Sequence, residues 1–291
     1  MSMLEVESLR KVYGDFVAVE GSSFSVDRGE VFGIVGPNGA GKTTTLKMIA
    51  GLIDPTEGSV LIDGEEAGTA QMQRRLGFVP EESPLYEEMT AVRYLSFFAD
   101  LYDVPRDVAS ERIESTLDRL DLEHRERRIG NMSKGMKRKV TIARALVNDP
   151  DVLIFDEPAS GLDPVTTNYI LEFIRELCEE GKTVLFSAHN LYHVESISDR
   201  LVIMREGSIV ARGTVAAIRE DHGRTEYRVF ATIDLGEGSP TDQGVRYECE
   251  TMAAVEDLRE RVTAAGGSIT DMRTIEPSLE EIFLRVAGEP K

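Results

Sequence analysis

The chain has 291 residues, 41% of them hydrophobic, and a formal net charge of −19. That apolar share supports a packed core and excludes a disordered chain. No stretch approaches the roughly 18 uninterrupted apolar residues of a membrane span, and the charged start MSMLEVESLRKVYG holds no signal-peptide core, so the chain is expected to stay in the cytosol. The acidic balance, with only a short basic run at Arg125, Arg127 and Arg128, argues against nucleic acid as a partner. An acidic, lysine-poor surface suits a salt-rich cytoplasm and gives the expectation of a halophilic source. Cys178 and Cys249 lie far apart without metal-ligand spacing, which predicts reduced, unpaired thiols.

In chain order, Leu4 to Tyr13 alternates apolar and polar residues and predicts an edge strand, and Phe16 to Val26 a further strand pair. Val31 to Val35 is a short apolar run, expected as a buried strand. It leads into Gly36-Pro37-Asn38-Gly39-Ala40-Gly41-Lys42-Thr43, which matches the phosphate-binding loop pattern in full, and Thr44 to Ala50 predicts the helix that follows. Glycines let such a loop turn sharply and bring its N–H groups towards an anion. The uncapped first helical turn and the helix dipole favour negative charge at the same place. Lys42 can reach the outer phosphates, and the Thr43 hydroxyl can ligate magnesium. Tyr13, shortly before, can stack on an adenine ring.

Ser59 to Ile62 and Gly77 to Pro80 predict short strands, with Gln71 to Arg75 helical between them and Glu81 in the loop after. From Thr90 to Leu120 the period turns helical, with Val92, Leu95, Phe98 and Leu101 on one face and Ile113, Leu117 and Leu120 on a second helix beyond Pro105. Ser133 is a fair N-cap for a helix stopped by Asp149-Pro150. Val152 to Phe155 is a central parallel strand with Asp156 and Glu157 at its carboxyl end, where open α/β sheets bind ligands. Asp156 can therefore meet the magnesium on Thr43, and Glu157 is left to orient or deprotonate the attacking water. Thr183 to Ser187 is the next buried strand, with His189 just past it, placed for a γ-phosphate contact. A hairpin around Glu206-Gly207 follows. Near Glu220 the pattern changes to a smaller α+β order of strands and helices with a loose loop at Gly236 to Pro240.

Taken together the motifs over about residues 3 to 220 resemble the nucleotide-binding subunits of ATP-binding cassette (ABC) transporters. Gly36 to Thr43 looks like the Walker A loop, Val152 to Asp156 the Walker B strand, Glu157 the catalytic glutamate and His189 the switch histidine. Tyr13 matches the adenine-stacking position, Ser133 to Met136 the signature loop, and Ser160 to Asp163 the loop that faces across the dimer. The resemblance implies an α/β fold: a P-loop NTPase core over 1–221, with a mostly parallel sheet, an antiparallel β subdomain and an inserted helical subdomain at about 85–150, and then an α+β accessory domain over 222–291. It implies ATP and Mg2+ held by the Gly36–Thr44 stretch, with Thr43, Asp156 and Glu81 as metal ligands, and Ser133, Gly135 and Asp163 completing a site across a homodimer or paired cassette.

Two departures stand out. Glu81 replaces the usual glutamine, keeping an oxygen for magnesium but adding charge. Lys134 and Met136 interrupt the signature, although Ser133 and Gly135 survive. Both departures, with the tail Glu276 to Leu284, resemble the branch serving ABC-2 type exporters of drugs, ions or polysaccharides. The resemblance then implies an ATPase on the inner face of the cell membrane, held there by a separate permease chain. The alternative is a soluble cassette ATPase acting on ribosomes or DNA, but such proteins usually carry two cassettes or a long coiled-coil insertion, and neither occurs here.

Overall fold

The computed structural model describes residues 2–223, 226–242, 244–275 and 278–287. Their contacts form two units, Met1–Thr214 and Val215–Lys291. The sequence expectation of a boundary at 221 falls seven residues later, because the helix Val215–His222 groups with the second unit.

In the first unit, β1 (Ser2–Tyr13) and β2 (Phe16–Asp27) form one long hairpin with Tyr13 opposite Phe16. After β3 (Val31–Val35) and α1 (Lys42–Ile49), β4 (Glu57–Ile62) pairs with the other side of β1, and β5 (Glu65–Glu66) closes an antiparallel sheet of order β2-β1-β4-β5. So β1 lies inside its sheet, not at the edge, and Phe16 to Val26 is one strand, not a pair. A bulge explains the broken alternation of β1: register shifts between Val6 and Leu9, where Ser8 has φ 47, so Leu4, Val6 and Leu9 are all buried.

A short helix α2 (Ala70–Arg74) leads to β6 (Leu76–Val79). Three helices follow, α3 (Ala91–Leu101), α4 (Arg106–Arg119) and α5 (Lys134–Leu146), and they pack on one another. The buried face of α3 is Ala91, Tyr94, Leu95 and Ala99, whereas Leu101 is 60% exposed. Small alanines allow close helix approach, and a count of bulky apolar residues overlooks them. On α4 the expected Ile113 and Leu117 are buried, with Leu120 at its cap.

The second sheet of this unit holds the site. It adds β7 (Val152–Phe155), β8 (Thr183–Ala188), β9 (Arg200–Arg205) and β10 (Ser208–Gly213), with α6 (Pro164–Glu179) and α7 (Leu191–Ile197) between them. The order is β10-β9-β3-β8-β7-β6, parallel except for the β9–β10 hairpin. β3 and β7 are buried at every residue, as expected for parallel strands covered on both faces. One core joins the two sheets through α1: Leu4, Val26 and Ile62 meet Phe32, Leu46 and Ile154, and Phe24 stacks on Phe32 with ring centroids 5.1 Å apart.

Between α5 and β7, Asp149 has φ 54, in the left-handed region that Asn and Asp tolerate. Its carboxylate accepts from Lys182 and lies 3.4 Å from Arg112 Nη2. The Lys182 hydrogen bond is the main reason its pKa falls below the ordinary 3.8. A depressed folded-state pKa contributes stability that is present above the unfolded value and lost as pH falls through the folded one. Asp149→Asn keeps the backbone preference and removes the charge. It is expected to lower stability by about 0.5–1 kcal/mol at neutral pH, as for a partly exposed pair. Urea melts should show the difference shrinking below the ordinary aspartate range; a constant difference would assign the effect to shape rather than charge.

The second unit contains α8 (Val215–His222), β11 (Glu226–Ala231), β12 (Ser239–Thr241), β13 (Gly244–Cys249), α9 (Met252–Ala264), β14 (Ile269–Ile275) and α10 (Leu279–Ala287). Its antiparallel sheet runs β12-β13-β11-β14. Val255, Leu258 and Val262 of α9 cover Val229, Ala231, Tyr247 and Cys249. The segment expected as a loose loop at Gly236 to Pro240 instead runs into β12, where Ser239 and Pro240 pair with Arg246 and Val245 of β13. Of the expected tail motif, Glu276 and Pro277 lie outside the described residues, while Leu279 and Ile282 are buried. Cys178 and Cys249 are both free and buried, and burial pushes both thiols up.

Candidate functional site

The loop between β3 and α1 is shaped by its glycines. Gly39 and Gly41 have φ 82 and 99. A Cβ at Gly41 would stand 2.6 Å from Ala18 O, so β2 runs directly against the loop. Gly41 is the N-cap of α1 and supplies no capping side chain, which leaves the first-turn N–H groups for an anion. Tyr13 sits at the tip of the same hairpin, 48% exposed, with Lys11 Nζ 5.1 Å from its ring centroid.

Lys42 is buried beneath this loop. Its Nζ donates to Gly36 O at 2.7 Å and Pro37 O at 3.3 Å, and lies 3.3 Å from Glu157 Oε1. Thr43 Oγ1 donates to Asp156 Oδ1 at 3.0 Å, and Ser187 Oγ donates to the same oxygen at 2.7 Å. The Glu157 N–H donates to Ser187 Oγ at 2.9 Å. Glu157 Oε2 lies 2.7 Å from His189 Nδ1, so the acid stands between a lysine and a histidine. Glu157 has φ 48, a left-handed conformation uncommon for a residue of its kind. Asp156 and Glu157 are buried, and His189 is largely exposed.

The chemistry of this cluster suits a phosphoanhydride. Lys42 and the α1 N-terminus provide positive potential, Glu157 provides a base, and Thr43 with Asp156 provides oxygen donors of the kind a hard cation takes. Among the described residues no group of three or more His, Cys, Asp or Glu could hold a metal ion.

The remaining predicted residues make other contacts within the chain. Ser133 is the N-cap of α5, accepting from the Met136 N–H at 3.2 Å, and a Cβ on Gly135 would stand 3.1 Å from Thr166 Cγ2. Asp163 caps α6 through the Val165 and Thr166 N–H groups and the Thr166 hydroxyl, and that hydroxyl is the main reason its carboxyl sits below the usual range. No described side-chain hydrogen bond joins Ser133, Gly135 or Asp163 to Lys42, Thr43 or Asp156. Glu81 directs its carboxylate to Ser160 Oγ at 3.2 Å.

Two residues of the site escaped the sequence reading. Ser187 bridges Asp156 and Glu157, and its signal is a fully buried hydroxyl at the end of an apolar strand. Arg138 is a buried arginine in the stripe of α5 that carries Val140 and Thr141, a placement arginine seldom takes without a purpose.

A family model described as "ABC transporter" matches residues 19–160. The linearmycin resistance ATP-binding protein LnrL of Bacillus subtilis (strain 168) is 33% identical, over 98% of this chain and 98% of that protein. The Nod factor export ATP-binding protein I of Rhizobium sp. (strain N33) is 34% identical, over 98% of this chain and 97% of its own. Among solved structures, a dimeric post-hydrolysis state of the ATP-binding cassette MJ0796 bound to ADP and Pi matches with a TM-score of 0.67 and 27% identity, covering 73% of this chain and 99% of that one.

Proposed function

This chain belongs to the ABC transporter family as an ATP-binding, ATP-hydrolysing subunit, and on that premise we propose that it energises export through a separate ABC-2 type permease. The observation that carries the catalytic half is Glu157, wedged between Lys42 and His189 beside the Thr43–Asp156 pair. Two relatives named for linearmycin resistance and Nod factor export, similar along nearly the whole chain, support export as the direction. No helix among the described residues is long and apolar enough to cross a membrane. In this proposal the pore belongs to another chain, with this one on the inner face of the membrane.

In this reading the Gly36–Thr44 loop cradles the triphosphate, Tyr13 stacks on adenine, and Lys42 neutralises the outer phosphates. Glu157 accepts the proton of the attacking water. His189 Nδ1 lies 2.7 Å from Glu157 Oε2, and with a proton on both ring nitrogens Nε2–H would donate to a γ-phosphate oxygen. Magnesium would be held by Thr43 and Asp156, joined by Glu81 only once its carboxylate leaves Ser160 Oγ, and would supply charge neutralisation. Ser133, Gly135 and Asp163 would complete the site of a partner copy, as the likeness of their motifs to the signature and dimer-facing loops implies. ATP then stabilises a head-to-tail pair because its phosphates are gripped from both sides, and hydrolysis releases that grip. The second unit is an accessory domain in this scheme.

The test is to purify the tagged full chain from detergent-solubilised membranes of its source. A multi-span membrane protein is expected to co-elute in fixed ratio and to change the ATPase rate. Recovery with ribosomes or DNA, and with no integral membrane protein, would contradict the transport assignment.

A further inference from the structure

Arg138 lies five residues after Ser133 on α5 and is 8% exposed. Its Nε donates to Pro158 O at 2.8 Å. Its Nη1 donates to Pro80 O and, at 3.2 Å, to Glu81 O. Its Nη2 donates to Asp156 O at 3.0 Å and Glu157 O at 2.9 Å. All these acceptors are main-chain carbonyls, and they lie just past the carboxyl ends of the neighbouring strands β6 and β7.

Such an arrangement is costly as mere packing. A buried cation loses its hydration, and an apolar side chain of similar volume would fill the space without that loss. Burial pushes the Arg138 pKa down to about 10, with the nearby Asp156, Glu81 and Glu157 charges opposing the fall. What the guanidinium achieves is geometric: a rigid planar fork can hold several carbonyls at fixed spacing, which an ammonium point charge cannot. The turn it holds includes Glu157 in its left-handed conformation, the residue whose carboxylate must stand between Lys42 and His189.

We propose that Arg138 is a positioning residue for hydrolysis: it locks the Asp156–Glu157–Pro158 turn to α5 and to the Pro80–Glu81 segment, so that the helix starting at Ser133 and the base Glu157 move as one piece. The proposal rests on Glu157 being the general base. Displacement of a catalytic group by about 1 Å can cost on the order of a hundredfold in rate, so loss of the clamp should act on turnover rather than on nucleotide affinity.

The experiment uses the full chain carrying Arg138→Met, which keeps length but removes every donor, and Arg138→Lys, which keeps charge but not the fork. For both, kcat, KM and the equilibrium affinity for ATP are measured beside Glu157→Gln, with thermal melts to normalise for folded protein. Arg138→Met is expected to lower kcat about 10- to 100-fold with KM and ATP affinity within about twofold, and Arg138→Lys to recover part of the rate. In the Glu157→Gln background, Arg138→Met should add no further loss, because both act through one group. Unchanged kcat per folded molecule, a change confined to KM, or a full extra loss on top of Glu157→Gln would each overturn the proposal. Should Arg138→Met fail to fold, Arg138→Lys decides: reduced kcat with a native melt supports the clamp, and a native kcat overturns it. Wild-type turnover in Glu157→Gln would instead sink the assignment of Glu157, whereas a normal Glu157→Gln defect with silent Arg138 variants sinks the clamp alone.

Discussion

Lys42→Ala is expected to weaken ATP binding at least a hundredfold. The Lys42 ammonium is almost wholly buried beneath the loop, held by Gly36 O and Pro37 O. Its loss removes one or two charge-assisted hydrogen bonds to phosphate oxygens, each worth about 1.5–3 kcal/mol. It also leaves the Glu157 carboxylate facing the triphosphate without the cation 3.3 Å from its Oε1. Like charges brought together in a low-dielectric site oppose binding further. The fold should survive, because His189 still contacts Glu157 Oε2 and the loop shape is set by glycines rather than by the lysine. Calorimetric titration of the variant with ATP and magnesium checks this. Affinity within threefold of the parent chain would remove Lys42 from the site.

Glu157→Gln should do the opposite: keep ATP and lose turnover, by about 100- to 10,000-fold for removal of a general base. The amide has nearly the same shape, and its oxygen can still accept from Lys42. It cannot take a proton from water, and it removes a negative charge next to the triphosphate, so ATP affinity should hold or rise. The reading is checked by steady-state phosphate release beside ATP titration. Loss of both activities together would point to a structural role for the glutamate.

The elements of the candidate site were legible because each is written in consecutive residues. The loop from Gly36 to Thr43 and the acids after Val152 to Phe155 carry their meaning in local spacing, and the structure brings Thr43 to Asp156 across 113 positions. Features that depend on distant partners were not legible. β1 is an inner strand because β4 pairs with it, and alternation along β1 alone does not reveal a second neighbour. α7 buries Leu191, Val194 and Ile197 but spans seven residues, too few for a periodic signal. Arg138 bonds to carbonyls 18 to 58 positions away, so its role is written in topology. Asp163 shows the same limit from the other side: inside the chain it is a helix cap, and any role across a pair of chains depends on a surface that local sequence does not describe.

In the proposed mechanism the triphosphate is gripped by two copies of the chain. Light scattering of the full-length Glu157→Gln protein, with magnesium and either ATP or ADP, tests this most directly. A doubling of mass with ATP that is absent with ADP is the predicted result; a monomer at saturating ATP, with binding confirmed in the same sample, would contradict it.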